Sequence, residues 1–511
     1  MKNHAIVFIL VILLPYMMNA QQANTLIVNA DLGRETISKY IYGQFAEHLG
    51  KCIYGGIWVG ENSSIPNTRG FRNDVLDALK AIHVPVIRWP GGCFADTYHW
   101  MDGIGPVEKR PKFVNTTWGG VVEDNSFGTH EFLEFCELVG AEPYISINVG
   151  SGTVKEAREW VEYVNSDNDS PMANLRRQNG RKEPWKVRFW GIGNETWGCG
   201  GNMTAEYYSN IVKHFSTFCS GEYKIISGGT SDDLNWTETL MKSVSKYNGL
   251  IQGYSYHYYT ICHDWLKKGS AINFTESEWF STMNKTVVVD ENLNQHSIIM
   301  DRYDPEKKIS LMADEWGNWF DVEPGDNPAF LFQQNTLRDA VTAGLYLNIF
   351  NNHCERVKMA NIAQMVNVLQ SMILTKDKDI VLTPTYYVFK MYAVHQDATM
   401  LPINIKSADY SNGAEKIPAL NVSASKSKNG KIHISIVNLD PVNAQDLNCE
   451  LRGTSVSNVS GEIITAEKMS AYNDFGKPEE VIIKTFTGAR LQKEKVNIIV
   501  PAKSVVMLEL N

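Results

Sequence analysis

The chain has 511 residues, 43% hydrophobic and 21% charged, the balance of a folded protein too long for one ordinary domain. Its formal net charge of −9 leaves no basic footprint and excludes nucleic acid as a partner. The 13 Trp, 22 Tyr and 20 Phe suit sugar binding, although a large core uses aromatic rings as readily.

At the N-terminus, Lys2 precedes the apolar run Ala5–Met18, which Pro15 interrupts and Asn19-Ala20-Gln21-Gln22 follows. A positive start, a short apolar core and a small residue before a polar stretch form the pattern of a cleavable signal peptide, cut after Ala20. The run is too short to cross a membrane. The expectation is therefore an exported enzyme, periplasmic or secreted, with no membrane contact once residues 1–20 are removed. The eight cysteines are scattered without a Cys-x-x-Cys pair, a poor spacing for zinc, and neither metal nor cofactor is expected.

Within residues 21–40, Thr25–Ala30 reads as a strand that joins a C-terminal sheet. Residues 41–395 then repeat one rhythm, an apolar strand ending in polar residues and followed by a helix. The strands are expected at Tyr42–Glu47, Val84–Trp89, Pro143–Asn148, Val187–Ile192, Lys224–Ser227, Gly253–His257, Ile309–Asp314 and Lys358–Ala363. Helices are expected at Arg72–Ile82, Thr129–Val139, Val154–Val164, Thr204–Phe218 and Thr336–Asn351. Eight strand–helix units predict a (β/α)8 TIM barrel. Over residues 396–511 the texture changes. Ile432, Ile434 and Ile436 alternate with polar residues behind an Asn429-Gly430 hairpin signal, and Val496–Val500 and Val505–Leu510 flank Pro501. This part predicts an antiparallel, jelly-roll-like β-sandwich.

A TIM barrel carries its site at the C-terminal ends of its strands. Standing there are Glu47, Arg88-Trp89-Pro90-Gly91-Gly92, Asn148, Asn194-Glu195, His257, Tyr259, Glu315-Trp316-Gly317 and Gln364. Glu195 and Glu315, at the ends of the fourth and seventh strands, suit glycosidic hydrolysis, which needs a proton donor and a partner carboxylate. Arg88 is expected to keep Glu315 ionised. Glu61 and Asp96 also stand near strand exits, and nothing distinguishes them from solvated loop groups.

Gly193-Asn194-Glu195 after Phe189-Trp190-Gly191 resembles the acid/base signature of clan A glycoside hydrolases. Further motifs narrow the resemblance to glycoside hydrolase family 51, the α-L-arabinofuranosidases. They are Gly43–Gly50, Arg69–Arg72, Arg88–Gly92, Asp102–Pro106, Asp314–Trp316 and Ala360–Asn367. The resemblance implies Glu195 as acid/base and Glu315 as nucleophile. It implies that Glu47, Asn194 and Gln364 bind the arabinofuranose hydroxyls. Tyr259 and Arg88 match residues beside the nucleophile, with His257 next to Tyr259, and Trp118 matches an aromatic beside the leaving group. The implied activity is exo-acting, retaining release of terminal α-L-arabinofuranosyl groups from arabinan, arabinoxylan or their oligosaccharides, by a homo-oligomer that in this family is often a hexamer.

Cys93 stands where many bacterial relatives have Asn. It is expected to point a thiol into the sugar pocket, a weak hydrogen-bond partner there; Cys199 is the first partner to check for a disulfide. The run Trp197–Gly201 also departs from many relatives. A β-xylosidase or endo-β-glucanase on the same scaffold would keep both glutamates, whereas a silent carbohydrate-binding protein would lack one.

Overall fold

Eight short apolar runs pair in parallel and close on themselves, as described by a computed structural model that covers residues 24–493 and 495–511. The expected leader, residues 1–20, lies outside the described residues. The barrel strands are β1 Gly43–Phe45, β2 Val86–Trp89, β3 Glu142–Ile147, β4 Phe189–Ile192, β5 Tyr223–Ile226, β6 Gly253–Thr260, β7 Ser310–Asn318 and β8 Val357–Ala363. Each pairs with its sequence neighbour, and β8 closes against β1 through Asn361 opposite Gly43. Val86, Tyr144, Phe189, Ile225, Met312 and Met359 cluster early along their strands and fill the interior, so polar residues are left to the later positions.

The outer helices obey ordinary rules of patterning and capping. In the helix Val154–Asn165 the hydroxyl of Thr153 accepts from the Glu156 amide, and Ala157, Trp160, Val161 and Val164 are buried at helical spacing. The helix Leu337–Asn352 differs in being buried on nearly every face. One side packs on the barrel. On the other, Asn348 and Asn352 donate to the carbonyls of Asn421 and Val422 at 3.3 and 3.0 Å.

Those carbonyls belong to a C-terminal sandwich of a five-stranded and a six-stranded sheet. The Asn429-Gly430 turn joins Leu420–Lys426 to Ile432–Asn438, with Gly430 at φ 90°. Pro501 lies where the chain leaves Lys495–Val500 in one sheet and enters Ser504–Leu510 in the other. The N-terminal strand Asn24–Asn29 sits inside the five-stranded sheet, antiparallel to Ile403–Lys406 but parallel to Gln445–Arg452. The fold is thus the TIM barrel with a C-terminal sandwich joined by an N-terminal strand, and that one parallel pair departs from the antiparallel expectation. No helix among the described residues is long and apolar enough to cross a membrane.

Because Leu345 is fully buried in the helix between barrel and sandwich, its replacement by Ala is expected to cost about 3 kcal/mol. Urea titration followed by circular dichroism should show the lowered midpoint, with specific activity of the folded protein unchanged.

Candidate active site

Seven strand exits or exit loops converge on one cavity of about 840 Å³, lined among others by Glu47, Trp118, Glu195, His257, Tyr259, Glu315 and Gln364. One carboxylate oxygen of Glu195, one of Glu315 and a ring nitrogen of His257 all lie within 4.8 Å of one another. The Glu195 and Glu315 side chains keep 19% and 10% of their surface exposed, enough to meet a ligand from the cavity.

A register irregularity brings the carboxylates together. Along β6, Ser255 faces Met312 and His257 faces Glu315, so β7 spends one residue more than its neighbour. On the other side Ala313 faces Ala360 while Trp316 faces Ile362, again one residue more. A regular strand sends consecutive side chains to opposite faces. The bulge in β7 re-aims them, and both Asp314 and Glu315 reach the site.

The bonds of this pair are specific. Arg88 donates from Nη1 to Glu315 Oε2 at 2.8 Å and from Nη2 to Asn194 Oδ1 at 2.6 Å. Its Nε lies 3.8 Å from Asp314 Oδ2. Tyr259 donates its hydroxyl proton to Glu315 Oε1 at 2.7 Å, so both oxygens of Glu315 are held. His257 bridges three acids. Its Nδ1 is 3.0 Å from Glu195 and 3.5 Å from Glu315, and its Nε2 is 3.4 Å from Asp314. Burial works against a charged His257, but Glu315 together with the bonds to Asp314 and Glu195 outweighs it and lifts the ring to about 10. Burial also penalises the Asp314 carboxylate, yet Arg88, His257 and the Ser255 hydroxyl hold it at about 2.

Glu47 forms the other wall. Its Oε1 accepts from the amides of Gly92 and Phe94, both at 3.1 Å, and from Trp118 Nε1 at 2.9 Å. Its Oε2 accepts from Gln364 Nε2 at 2.9 Å. Burial, then the negative charge of Glu315, pushes Glu47 up to about 7. The Pro-Gly-Gly turn is what lets the backbone come so near. A Cβ on Gly91 would lie 2.5 Å from Glu47 Cγ, and one on Gly92 would lie 3.0 Å from Glu315 Oε2.

Cys93 requires a correction. It carries no thiol into the pocket, because it is bonded to Cys199 across 106 residues, with the Cα atoms 5.4 Å apart. The exits of β2 and β4 are adjacent enough for that bridge, and the disulfide, not a hydrogen-bonding thiol, lines the cavity beside Glu195. The six other cysteines are free and buried.

Two acids differ from their sequence reading. Asp96 is no solvated loop group: it is buried, accepts from the amides of Val149 and Gly150, and burial lifts it to about 7. Asp314 had no role beyond its place in a motif, yet it supports both cations of the site. Asn148 caps its own loop by accepting from the amides of Ser151 and Gly152. Among the described residues, three groups could offer metal ligands: Glu195–His257–Glu315, Cys93–Glu195–Cys199 and Cys262–His263–Glu278. In the first the atoms are already paired with one another and with Arg88, and in the second the disulfide removes both thiolates.

Comparison with known proteins decides the family. Residues 78–271 match the model described as Alpha-L-arabinofuranosidase 1 domain, and residues 314–504 match Alpha-L-arabinofuranosidase C-terminal domain. A relative from Bacteroides ovatus, named an intracellular exo-alpha-L-arabinofuranosidase, is 54% identical over 499 residues, covering 96% of each chain. The GH51 arabinofuranosidase from Xanthomonas axonopodis pv. citri is 49% identical with a TM-score of 0.94, covering 96% of this chain and 100% of that one. The chain belongs to glycoside hydrolase family 51, the α-L-arabinofuranosidases. A family member from Thermotoga maritima, solved as an arabinose complex, is 31% identical with a TM-score of 0.82 over 95% of this chain and 99% of its own.

One relative also corrects the expected location. Export through a cleavable signal peptide is overturned by the Bacteroides ovatus relative, which is named intracellular. The short apolar run that suggested export is a local pattern, and it falls outside the described residues.

The raised His257 has a sign that can be checked in this family 51 site. A histidine held at about 10 when folded and near 6.5 when unfolded contributes stability that is complete below pH 6.5 and is lost as pH rises toward 10. His257→Gln should therefore show a shallower fall of Tm between pH 7 and 10 than the parent, read by differential scanning calorimetry.

Proposed function

We propose that Glu315 is the nucleophile and Glu195 the acid/base of a retaining, exo-acting α-L-arabinofuranosidase. The observation that carries the reading is the approach of the two carboxylates to within 4.8 Å, close to the ~5–5.5 Å of retaining enzymes and short of the ~6.5–9.5 Å that leaves room for an inverting water. In the first step Glu195 gives its proton to the glycosidic oxygen while a Glu315 oxygen attacks the anomeric carbon. The glycosidic bond breaks, an ester to Glu315 forms, and the leaving chain departs as an alcohol. In the second step the Glu195 carboxylate takes a proton from water, the oxygen of that water bonds to the anomeric carbon, and Glu315 is released. Two inversions return the original configuration.

Arg88 and Tyr259 hold the nucleophile oriented through its two oxygens. Glu47, Asn194 and Gln364 bind the furanose hydroxyls, and Glu47, held near 7, sits between acceptor and donor for that task. Trp118 closes the sugar pocket beside the leaving group through its bond to Glu47. The substrates are arabinose-bearing plant polysaccharides or their oligosaccharides. Support for the sugar comes from the relative solved as an arabinose complex. A homo-oligomeric assembly, implied by the family, belongs to the same proposal.

Replacing each glutamate separates the roles. Glu315→Ala is expected to lose activity on every substrate, because no glycosyl-enzyme forms. Glu195→Ala should retain the first step on an aryl arabinofuranoside with an acidic phenol, yet lose about 10²–10⁴-fold on arabinan, whose alkoxide needs a proton. Azide, which needs no base, should restore turnover of Glu195→Ala and give an arabinosyl azide of unchanged anomeric configuration. A retained azide from the Glu315 variant together with an inverted azide from the Glu195 variant reverses the assignment.

A further inference from the structure

A second cavity, of about 420 Å³, lies one chain segment away from the catalytic one. The segment that follows β7 forms the wall between them. Leu331, at φ 52°, lines the catalytic cavity, whereas its neighbours Phe330 and Phe332 line the second. This wall is pinned from both directions. The Leu369 amide donates to the Leu331 carbonyl at 3.0 Å, and the Glu323 amide donates to the Phe332 carbonyl at 2.9 Å. Another side of the cavity comes from the C-terminal sandwich, where the loop after Val459–Ile464 supplies the half-buried rings of Tyr472 and Phe475.

That loop is held in place by the barrel. Tyr472 bridges Thr336 in antiparallel fashion, and the Leu337 amide donates to the Ala471 carbonyl at 2.8 Å. Fully buried Asn473 donates to the carbonyls of Leu382 and Val481, both at 2.9 Å, and accepts from the Val481 amide at 2.7 Å. Gln334, only 8% exposed, also lines the cavity. Its Oε1 accepts from the Asn335 amide at 2.8 Å, and its own amide donates to Glu323 Oε1 at 3.3 Å. Its Nε2 has no hydrogen-bond partner among the described residues. A nearly buried amide donor that faces a cavity is placed to meet an oxygen from outside the chain.

The lining sets what fits. Its charged groups are Lys51, Lys376, Glu323, Asp326 and Asp474, an excess of one acid, so neither a strong anion nor a strong cation is favoured. Aromatic rings beside hydrogen-bonding groups suit a neutral ligand with C–H faces and many hydroxyls, which is the chemistry of a sugar. The volume lies inside the roughly 300–1,000 Å³ of small-ligand sites. We propose that this cavity is a second, non-catalytic saccharide site. It takes a furanosyl unit of an arabino-oligosaccharide, with Gln334 Nε2 donating to a hydroxyl and Tyr472 and Phe475 packing on the ring. The choice of sugar rests on the reading of the catalytic cavity given above.

The test counts bound sugar on the full chain carrying Glu315→Ala, which leaves the ligand uncleaved. Equilibrium dialysis against labelled α-1,5-arabinotriose should find two molecules per chain. Adding Gln334→Ala or Tyr472→Ala should leave one, whereas adding Tyr472→Phe, which keeps the ring, should leave two. With Glu315 intact, Gln334→Ala and Tyr472→Ala should keep kcat/KM on 4-nitrophenyl α-L-arabinofuranoside within about twofold of the parent's. One molecule per chain before either substitution, or two after both, overturns the proposal. So does a loss of bound sugar accompanied by an equal loss of kcat/KM, which would place both residues in the catalytic cavity. A changed subunit number by light scattering, with two trisaccharides still bound, overturns it as well and makes the aromatic loop a subunit contact. Cleavage of the trisaccharide by Glu315→Ala overturns the catalytic reading itself, a distinct outcome from failure of the second site.

Discussion

Four carboxylates are compressed into the mouth of this barrel, and the structure depends on how their charge is balanced. Two unit charges about 5 Å apart repel by about 3 kcal/mol at an effective dielectric near 20. Asp314 and Glu315 stand against two buried cations, Arg88 and a His257 held in its charged form, and Glu195 bonds the same imidazole. Glu47 meets the repulsion differently, by being pushed toward neutrality. Arg88 is the hinge of this balance because its planar fork serves Glu315 and Asn194 at once while its Nε faces Asp314. A lysine at that position has no such fork and could not fix all three.

The same balance bears on Glu47, proposed above to bind the sugar. Glu47 accepts four hydrogen bonds, two of them from the turn that carries Cys93 and Phe94. Its position is fixed before substrate arrives, so binding does not have to order it. The disulfide beside Glu195 acts in the same direction, tying the exits of β2 and β4 where Arg88 and Glu195 emerge.

Much of this was legible in the sequence, and the failures have causes. Each barrel strand is an apolar run ending in polar residues, so all eight could be placed, although β6 and β7 extend past their expected ends to Thr260 and Asn318. Glu195 and Glu315 stood out because each closes such a run within a recognisable motif. Asp314 did not, because alternation puts neighbours on opposite faces and only pairing with both adjacent strands reveals the bulge. Asp96 looked like a loop acid since its burial comes from the loop after β3, about fifty residues downstream. Cys93 was taken for a thiol because a pairing across 106 residues has no local signature.

The helix Leu337–Asn352 carries a consequence for how such an enzyme can change over evolutionary time. Its outer surface is covered by the sandwich, with Ser435 donating to Asn348 and two asparagines donating to sheet carbonyls. The sandwich in turn includes a strand from the far N-terminus. The catalytic barrel is therefore not a portable module to be exchanged or duplicated alone. Insertions and domain fusions are left to the loops at the barrel mouth and the free edges of the sheets, and lineages should diversify there while the seam between the two units stays fixed.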